Sequence, residues 1–363
     1  MIRIFCGFVT AIIFTAAAIF LIIKLSNHLK LFDDTDNYRK KHRWLVPRLG
    51  GAGMIFGAGL TFPIFWTSFS IEINAMLGST IVLVLLGFKD DLLGGAKPLE
   101  KFFMQFIASI ILTTFGKLGL TVYPWIVTVD FYSEIVLQLL SVLVIVFLIN
   151  SFNLIDGIDG LAGIISLIVN LYLSFKLYQF GSFDFAFIGI VVCGATMAFL
   201  RFNILERKIF MGDAGAMLLG LISASLGFKF IQYGNSTSVM GYQSPGAIVF
   251  ALLIVPVFDS TRISLIRIIQ KKSLFLGDRN HVHHRIKDLG MSDLKTVAVL
   301  SIFTLCASAY SIVFQSLGLL SLLISIFMFA VVGNSILTYL RGVHLSNDYR
   351  LVDILLKDTL GER

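Results

Sequence analysis

The chain has 363 residues, of which 57% are hydrophobic and only 14% are charged, and its formal net charge at pH 7 is +7. Soluble globular proteins carry roughly 25% charged residues, so this composition excludes an ordinary soluble enzyme. It is typical of a protein that crosses a membrane several times.

Apolar stretches long enough to form membrane-spanning helices recur along the whole chain. A helix needs about 17 to 25 mostly apolar residues to cross roughly 30 Å of hydrocarbon. We therefore predict an all-α polytopic integral membrane protein with about eleven transmembrane helices. Ten are an alternative, because residues 315–318 form only a weak break between the last two. The predicted spans lie near residues 4–23, 50–70, 73–89, 101–116, 133–149, 160–178, 183–202, 214–230, 245–266, 296–314 and 317–340.

The basic residues predict how these spans are oriented, because short loops rich in Lys and Arg stay in the cytoplasm. They concentrate in the first loop (24–49) and the ninth loop (267–295). We expect one integral domain over 1–340, with its N-terminus away from the cytoplasm, and a cytoplasmic tail over 341–363. The positive charge on that side favours anionic lipid headgroups and a phosphorylated substrate as partners, and not nucleic acid.

Two neighbouring carboxylates, Asp90 and Asp91, end the third predicted span. Adjacent positions on a helix point about 100° apart, so the two side chains are expected to do different things. One would contact a metal or accept a proton, and the other would orient a lysine. The alternative is a solvated helix end that happens to be acidic.

A second polar segment follows the fifth predicted span. Asn150, Asn153, Asp156 and Asp159 recur at three-residue steps, and the segment carries no Lys or Arg to neutralise its acids. A helical or near-helical turn would place all four on one face, opposite a cation or a hydroxyl-rich ligand. A plain turn built from Asp-Gly pairs is the alternative.

A fifth acid, Asp213, is flanked by glycines at the start of the eighth predicted span. It is either a helix N-cap or a metal ligand. Oxygen ligands from separate loops suit Mg²⁺, which prefers carboxylates, water and substrate phosphates. Gly50 and Gly51 likewise have two interpretations, either close helix packing or a flexible backbone that approaches a phosphate.

Three histidines, His281, His283 and His284, stand beside Arg285 in the ninth loop. Zinc is conceivable, but no cysteine and no HExxH spacing accompanies them. Binding of a phosphate group suits them better, because arginine makes bidentate contacts with phosphate and imidazole titrates near neutral pH. A basic loop that merely touches lipid is the alternative.

These residues, in this order, resemble the polyprenyl-phosphate N-acetylhexosamine-1-phosphate transferases, in particular the bacterial WecA type, with MraY as a more distant relative. The resemblance spans most of the chain. It includes residues 39–42, Pro47, Gly50, Gly51, Asp90, Asp91, residues 150–160, residues 210–215, Asp259, Arg267 and residues 278–284.

The resemblance implies a reaction at the inner membrane of a bacterium. Undecaprenyl phosphate would attack the β-phosphate of a UDP-N-acetylhexosamine, giving a lipid-linked sugar diphosphate and UMP, with Mg²⁺ or Mn²⁺ required. N-acetylglucosamine is the default sugar, and N-acetylgalactosamine, N-acetylfucosamine and N-acetylquinovosamine are alternatives. The product would begin a surface polysaccharide such as O-antigen, and the family is compatible with a homodimer.

The resemblance also implies roles for individual residues. Asp90 would contact or deprotonate the lipid phosphate, Asp213 would ligate the metal, and Asp91 would assist at the metal or at a lysine. Asp156 and Asp159 would support nucleotide binding and the geometry of the site. The implied substrate-binding residues are Lys40, His42, Asn150, Asn153, Arg267, His281, His283 and His284.

Two other classes of function are weighed against this enzyme. A transporter of anionic lipid-linked sugars should have inverted repeats and charges near mid-span, and the sequence has neither. An inert scaffold that binds acidic lipids would explain the basic loops but not five ordered aspartates.

Overall fold

A computed structural model of the chain describes residues 1–29, 46–66, 70–120, 131–236, 242–273 and 280–344. Lys40 and His42 lie outside the described residues, as do 345–363. Within the described part, contacts group the chain into two compact units, Met1–Thr237 and Ser238–Arg363. The single domain predicted over 1–340 stays a prediction.

Every regular element in the described ranges is a helix, which confirms the all-α, multi-pass part of the predicted fold. The first unit contains α1 (Ile2–Leu29), α2 (Gly50–Phe65), α3 (Ile71–Leu93), α4 (Pro98–Thr114), α5 (Phe131–Ile155), α6 (Leu161–Gln179), α7 (Phe183–Leu200) with a π-helical turn (Arg201–Leu205), and α8 (Gly212–Ser236). The second contains α9 (Pro245–Leu252), α10 (Ile254–Ile269), α11 (Val282–Lys287), α12 (Asp293–Val313), a 3₁₀ turn (Gln315–Leu317) and α13 (Leu319–His344).

The structure supports fewer spans than the eleven predicted, and the full count stays a prediction. Each predicted segment contains a described helix, but among the residues that the structure describes only 8 helices are long and apolar enough to cross a membrane, or 9 if one bent pair is a single span. Helix α2 has 16 residues and α4 has 17, with Glu100 and Lys101 in its first turns. At 1.5 Å per residue, helices of this length are about 24–26 Å long and fall short of the roughly 30 Å of hydrocarbon. Composition alone did not reveal that these two helices are shorter than the others.

The bent pair is α9 and α10, which meet at 76° within the predicted span 245–266. Pro256 lies in the first turn of α10. Proline has no N–H to donate to the carbonyl of Leu252, four residues earlier, and its ring collides with that carbonyl. The helix therefore breaks at Leu253 and restarts in another direction.

Helix α8 forms the centre of the first unit, and 94% of its most apolar stretch is buried inside the protein. Small residues let its neighbours approach closely. A Cβ added to Gly220 would lie 2.7 Å from Cα of Ile149 on α5, and one added to Gly87 of α3 would lie 2.4 Å from Cα of Ala214. The contact between Gly87 and Ala214 brings the end of α3, with Asp90 and Asp91, against the beginning of α8, with Asp213.

Candidate metal centre and its surroundings

The close approach of α3 and α8 brings together three carboxylates that are far apart in the sequence. Asp90, Asp91 and Asp213 each offer an oxygen, and these three oxygens lie within 4.8 Å of one another. All three side chains are half-buried. This acid cluster could hold a metal ion.

A lysine already places a cation against two of these acids. Nζ of Lys101 donates hydrogen bonds to Oδ2 of Asp90 at 2.8 Å and to Oδ2 of Asp213 at 2.5 Å. Oδ1 of Asp90 accepts a further bond from the backbone N–H of Ala96 at 2.8 Å. The carboxylates therefore converge on a position that accommodates positive charge.

The sequence predicted a lysine partner for Asp90 or Asp91 but did not identify it as Lys101. Lys101 lies 11 residues beyond Asp90, across the turn between α3 and α4. The available signal was the pair Gly94 and Gly95, whose φ angles of 63° and 95° reverse the chain. That reversal returns the first turns of α4 to the end of α3.

Asp91 caps α8 from outside that helix. Its Oδ1 accepts the backbone N–H of Asp213 at 2.9 Å, and its Oδ2 accepts that of Ala214 at 3.2 Å. The interpretation of Asp213 as the N-cap is therefore wrong, because α8 already begins at Gly212. The carboxylate of Asp213 stays directed at Lys101.

Gly212 cannot carry a side chain in this arrangement. Its φ is +76°, and an added Cβ would lie 2.2 Å from the carbonyl oxygen of Arg48 and 2.8 Å from both carboxylate oxygens of Asp91. Only glycine adopts this left-handed backbone without cost. The residue allows Asp91 to reach the start of α8.

Gly50 and Gly51 allow close packing, which was one of the two interpretations of these glycines. Their N–H groups donate to the carbonyls of Phe210 at 2.8 Å and Met211 at 2.7 Å. A Cβ on Gly51 would lie 2.2 Å from the backbone nitrogen of Gly215. These donors are used within the protein, which disfavours the phosphate-approach interpretation.

The four polar residues of 150–160 do not share one helical face. Asn150 and Asn153 lie in the last turns of α5, which ends at Ile155, whereas Asp156 and Asp159 lie in the turn that follows. The turn ends at Gly160, whose φ is +84°. Asp-Gly pairs favour a turn over a continued helix. The prediction that polar residues share one helical face therefore holds only for the two asparagines.

Asp159 is held by an asparagine that sequence reasoning missed. Nδ2 of Asn203 donates to Oδ1 of Asp159 at 3.1 Å and to the carbonyl of Ile209 at 2.9 Å. Asn203 is 3% exposed and lies in the π-helical turn Arg201–Leu205. Such turns occur frequently at functional sites, but a π-turn has no clear mark in the sequence.

Asp156 belongs to the same electrostatic environment as the acid cluster. Burial raises the pKa of Asp156 well above its usual range, and repulsion from Asp213, Asp159 and Asp91 adds to the effect, while Arg48 opposes it. Its ionised form is therefore destabilised by concentrated negative charge. A bound divalent cation would relieve that repulsion.

The second unit has a polar cluster of its own. Asp259 of α10 is 2% exposed and binds Nδ1 of His281 at 2.8 Å. The histidine pair that follows differs in exposure, since His283 is 1% exposed and His284 is half-buried. Arg267, also predicted to bind substrate, is 5% exposed near the end of α10.

Comparison with known proteins agrees with these observations. Residues 73–231 match the family model described as Glycosyl transferase family 4, a range that contains the acid cluster, Asp156 and Asp159. The probable undecaprenyl-phosphate N-acetylglucosaminyl 1-phosphate transferase of Bacillus subtilis (strain 168) is 29% identical over 318 residues, covering 87% of this chain and 86% of that protein.

Two further relatives belong to other bacteria. The decaprenyl-phosphate N-acetylglucosaminephosphotransferase of Mycobacterium leprae (strain TN) is 30% identical over 317 residues, or 80% of this chain and 78% of that protein. The undecaprenyl-phosphate alpha-N-acetylglucosaminyl 1-phosphate transferase of Yersinia pestis is 25% identical over 299 residues, or 80% and 78%.

Proposed function

The chain belongs to glycosyl transferase family 4 together with polyprenyl-phosphate N-acetylglucosamine-1-phosphate transferases, and from this premise we propose that it transfers N-acetylglucosamine 1-phosphate from UDP-N-acetylglucosamine to undecaprenyl phosphate. An oxygen of the lipid phosphate forms a bond to the β-phosphorus, and the bond from that phosphorus to the bridging oxygen breaks. UMP leaves with the bridging oxygen. The product is the first lipid-linked intermediate of a surface polysaccharide.

The observation that carries this proposal is the acid cluster with its three oxygens within 4.8 Å. Carboxylate oxygens are the ligands that Mg²⁺ prefers, and Mn²⁺ accepts the same donors. Asp213 and Asp91 would hold the ion. When bound, Mg²⁺ would neutralise charge on the diphosphate and stabilise the charge that develops during phosphoryl transfer.

Asp90 and Lys101 supply the groups that would handle the lipid phosphate. Asp90 contacts this phosphate or accepts its last proton, and its bonds to Ala96 and Lys101 fix the direction of its carboxylate. A phosphate monoester has a second pKa of about 6, so it is largely ionised near neutral pH and needs no strong base. Orientation is therefore the main contribution of Asp90.

The residues proposed to bind substrate form two groups. In the first unit, Asp156 and Asp159 support the nucleotide, with Asn150 and Asn153 on the preceding helix. In the second unit, Arg267 and the histidine cluster (His281, His283 and His284) form the proposed site for the diphosphate, because cationic and N–H donors bind phosphate oxygens strongly. The larger set proposed to bind substrate also includes Lys40 and His42.

The proposed reaction takes place on the cytoplasmic side of a bacterial inner membrane. In the eleven-span topology predicted from the basic loops, the ends of α3 and α5 and the beginning of α8 lie on that side, with the N-terminus outside. Membrane lipids surround the helices, and a homodimer stays a prediction.

The test is a reaction of the purified protein with undecaprenyl phosphate, Mg²⁺ and a panel of UDP-sugars, with release of UMP as the readout. We expect UMP from UDP-N-acetylglucosamine. UMP release only from the UDP derivative of N-acetylgalactosamine, N-acetylfucosamine or N-acetylquinovosamine would change the proposed sugar substrate. The proposed class of reaction would remain. If no sugar gives UMP, the proposed function is wrong.

A further inference from the structure

One buried carboxylate organises the histidine cluster of the second unit. Oδ2 of Asp259 lies 2.8 Å from Nδ1 of His281, and its Oδ1 accepts the backbone N–H of Val282 at 2.9 Å. Arg262, one turn later on α10, lies 3.5 Å from Oδ1 and also bonds the carbonyl of Asn280. The carboxylate thus binds a side chain and the backbone at the start of α11.

The tautomer of His281 follows from this contact. An ionised carboxylate can only accept hydrogen bonds, so Nδ1 of His281 must carry a proton. The other ring nitrogen, Nε2, is then left to interact on the far side of the ring. A carboxylate that fixes a ring in this way is a recurring device for setting the direction of a histidine.

The three imidazoles form a continuous column. The rings of His281 and His283 are stacked, with centroids 5.5 Å apart and planes 11° apart, and the ring of His283 lies 4.3 Å from that of His284. The first two rings are buried and the last is not, because His281 is 5% exposed and His283 is 1% exposed, whereas His284 is half-buried. Only the last ring has substantial accessible surface.

The middle of the column is neutral. Burial, and after it the neighbouring His284, lowers the pKa of His283 to about 3. Its Nε2 has no hydrogen-bond partner among the described residues, and the side chain is 1% exposed. His283 is therefore a packing ring between the anchored His281 and the accessible His284, and it offers no positive charge to an anion.

The base of the column is also fixed from α13. Arg285, next to the column, donates to Oδ1 of Asn334 at 2.6 Å and to the hydroxyl of Thr338. Arg341 lies 2.7 Å from Asp288, just after α11. These bonds hold the end of α11 independently of Asp259, so a change at Asp259 should alter the direction of the rings before it displaces the helix.

We propose that Asp259 is a positioning residue that acts through His281 and His283 to direct His284 at the anionic diphosphate of the substrate. This inference rests on the proposed function and deepens it. It divides three adjacent histidines into one that contacts the ligand and two that orient it.

The test compares Asp259→Asn with the wild type and with the matched control Asp293→Asn, which removes a carboxylate paired with Lys287 at 2.6 Å. Asparagine keeps the shape of Asp259 but removes the charge. We expect the KM for the UDP-sugar to rise by about tenfold in Asp259→Asn and in His284→Gln, the size expected for one lost charge-assisted bond. The kcat should change less than KM, and Asp293→Asn should match the wild type.

A spectroscopic readout separates positioning from folding. With ¹⁵N-labelled histidine, one imidazole of the wild type should show a protonated Nδ1, and this signal should be lost in Asp259→Asn. A merely structural role would lower the active fraction and leave KM unchanged. An unchanged KM, or an unchanged histidine spectrum, in active Asp259→Asn protein would overturn the inference and leave the proposed function standing.

The proposed function can also fail separately. If the wild type releases no UMP from any sugar, calorimetric titration with UDP decides the inference. Weaker binding of UDP to Asp259→Asn and to His284→Gln, with normal binding to Asp293→Asn, would support it. Equal or absent binding in all four proteins would reject it.

Discussion

Oδ1 of Asp91 accepts the backbone N–H of Asp213 at 2.9 Å, across 122 residues of sequence. The last turn of α3 therefore completes the first turn of α8. Two acids that are far apart in the sequence, and that were both predicted at the metal site, belong to one structural unit. The capping carboxylate directs the next carboxylate toward Lys101, so folding and the chemistry of the site depend on the same contact.

Replacing Asp91 by Ala should expose the amides at the start of α8. The N–H groups of Asp213 and Ala214 would lose their acceptor, and each such bond is worth about 1.5–3 kcal/mol when the acceptor is charged. We expect amide hydrogen exchange in residues 210–216 to accelerate by about tenfold or more, measured by mass spectrometry. The control Glu100→Gln, which removes an exposed ion pair with Lys89, should leave this exchange unchanged. Unaltered protection in Asp91→Ala would contradict the capping role.

Removal of the Lys101 ammonium should strengthen metal binding. Lys101 occupies oxygens of Asp90 and Asp213 and repels a cation placed there, an interaction of about 4 kcal/mol at 4 Å for an effective dielectric constant of 20. We expect Lys101→Met to bind Mn²⁺ at least about tenfold more tightly, measured by electron paramagnetic resonance. Lys89→Met provides the matched control and should bind Mn²⁺ like the wild type. Unchanged affinity in Lys101→Met would show that the ion binds elsewhere.

The sequence allowed the acids to be predicted but not the groups that organise them. Asp90, Asp91 and Asp213 stand out because carboxylates are rare at the ends of apolar helices. Lys101 and Asn203 do not stand out, because their roles depend on a chain reversal at Gly94 and Gly95 and on a π-helical turn. Contacts of this kind follow from three-dimensional packing and have no periodic pattern in the sequence.

The fold shows the same division. Each of the eleven segments predicted from hydrophobicity contains a described helix, because the bilayer requires helices with internally satisfied backbones. Hydrophobicity did not reveal that α2 and α4 are short or that Pro256 breaks the ninth segment into helices at 76°. The different roles of the histidines could not be predicted either. His283 and His284 are neighbours in the sequence, but the first is buried and the second is half-buried.

Neutralising Asp156 should stabilise the metal-free protein at neutral pH. Its pKa is raised by burial and by Asp213, Asp159 and Asp91, so ionisation opposes folding. Because an unfolded Asp has a pKa of about 3.9, the penalty is absent below that pH, grows above it, and is complete above the folded pKa. We expect Asp156→Asn to unfold at a higher temperature than the wild type at pH 7 in EDTA.

This difference should vanish near pH 3, and Mg²⁺ should reduce it at pH 7 by neutralising the acids in the wild type. Thermal unfolding measured across this pH range checks both expectations. A stabilisation that is largest in acid would contradict the account of Asp156. So would a stabilisation that Mg²⁺ does not affect.

A methyl group at Gly212 should disrupt the acid cluster. The left-handed backbone alone costs roughly 1–2 kcal/mol with a Cβ, and that Cβ would meet the carbonyl of Arg48 at 2.2 Å. We expect Gly212→Ala to lower the unfolding temperature and to weaken Mn²⁺ binding. The control is Gly59→Ala on α2, where an added Cβ meets nothing within 4 Å. It should gain about 0.5–1 kcal/mol from helix propensity, and equal behaviour of the two variants would refute the predicted clash.

The most direct test of the central claim measures UMP release by the wild type and by Asp213→Asn in the presence and absence of Mg²⁺. Losing one ligand should lower the rate by about a hundredfold or more, as for other groups that stabilise transition-state charge. The wild type should require Mg²⁺, and Asp213→Asn should bind Mn²⁺ more weakly while its thermal unfolding stays cooperative. Near-normal UMP release by Asp213→Asn, or release by the wild type in EDTA, would contradict a catalytic metal at this acid cluster.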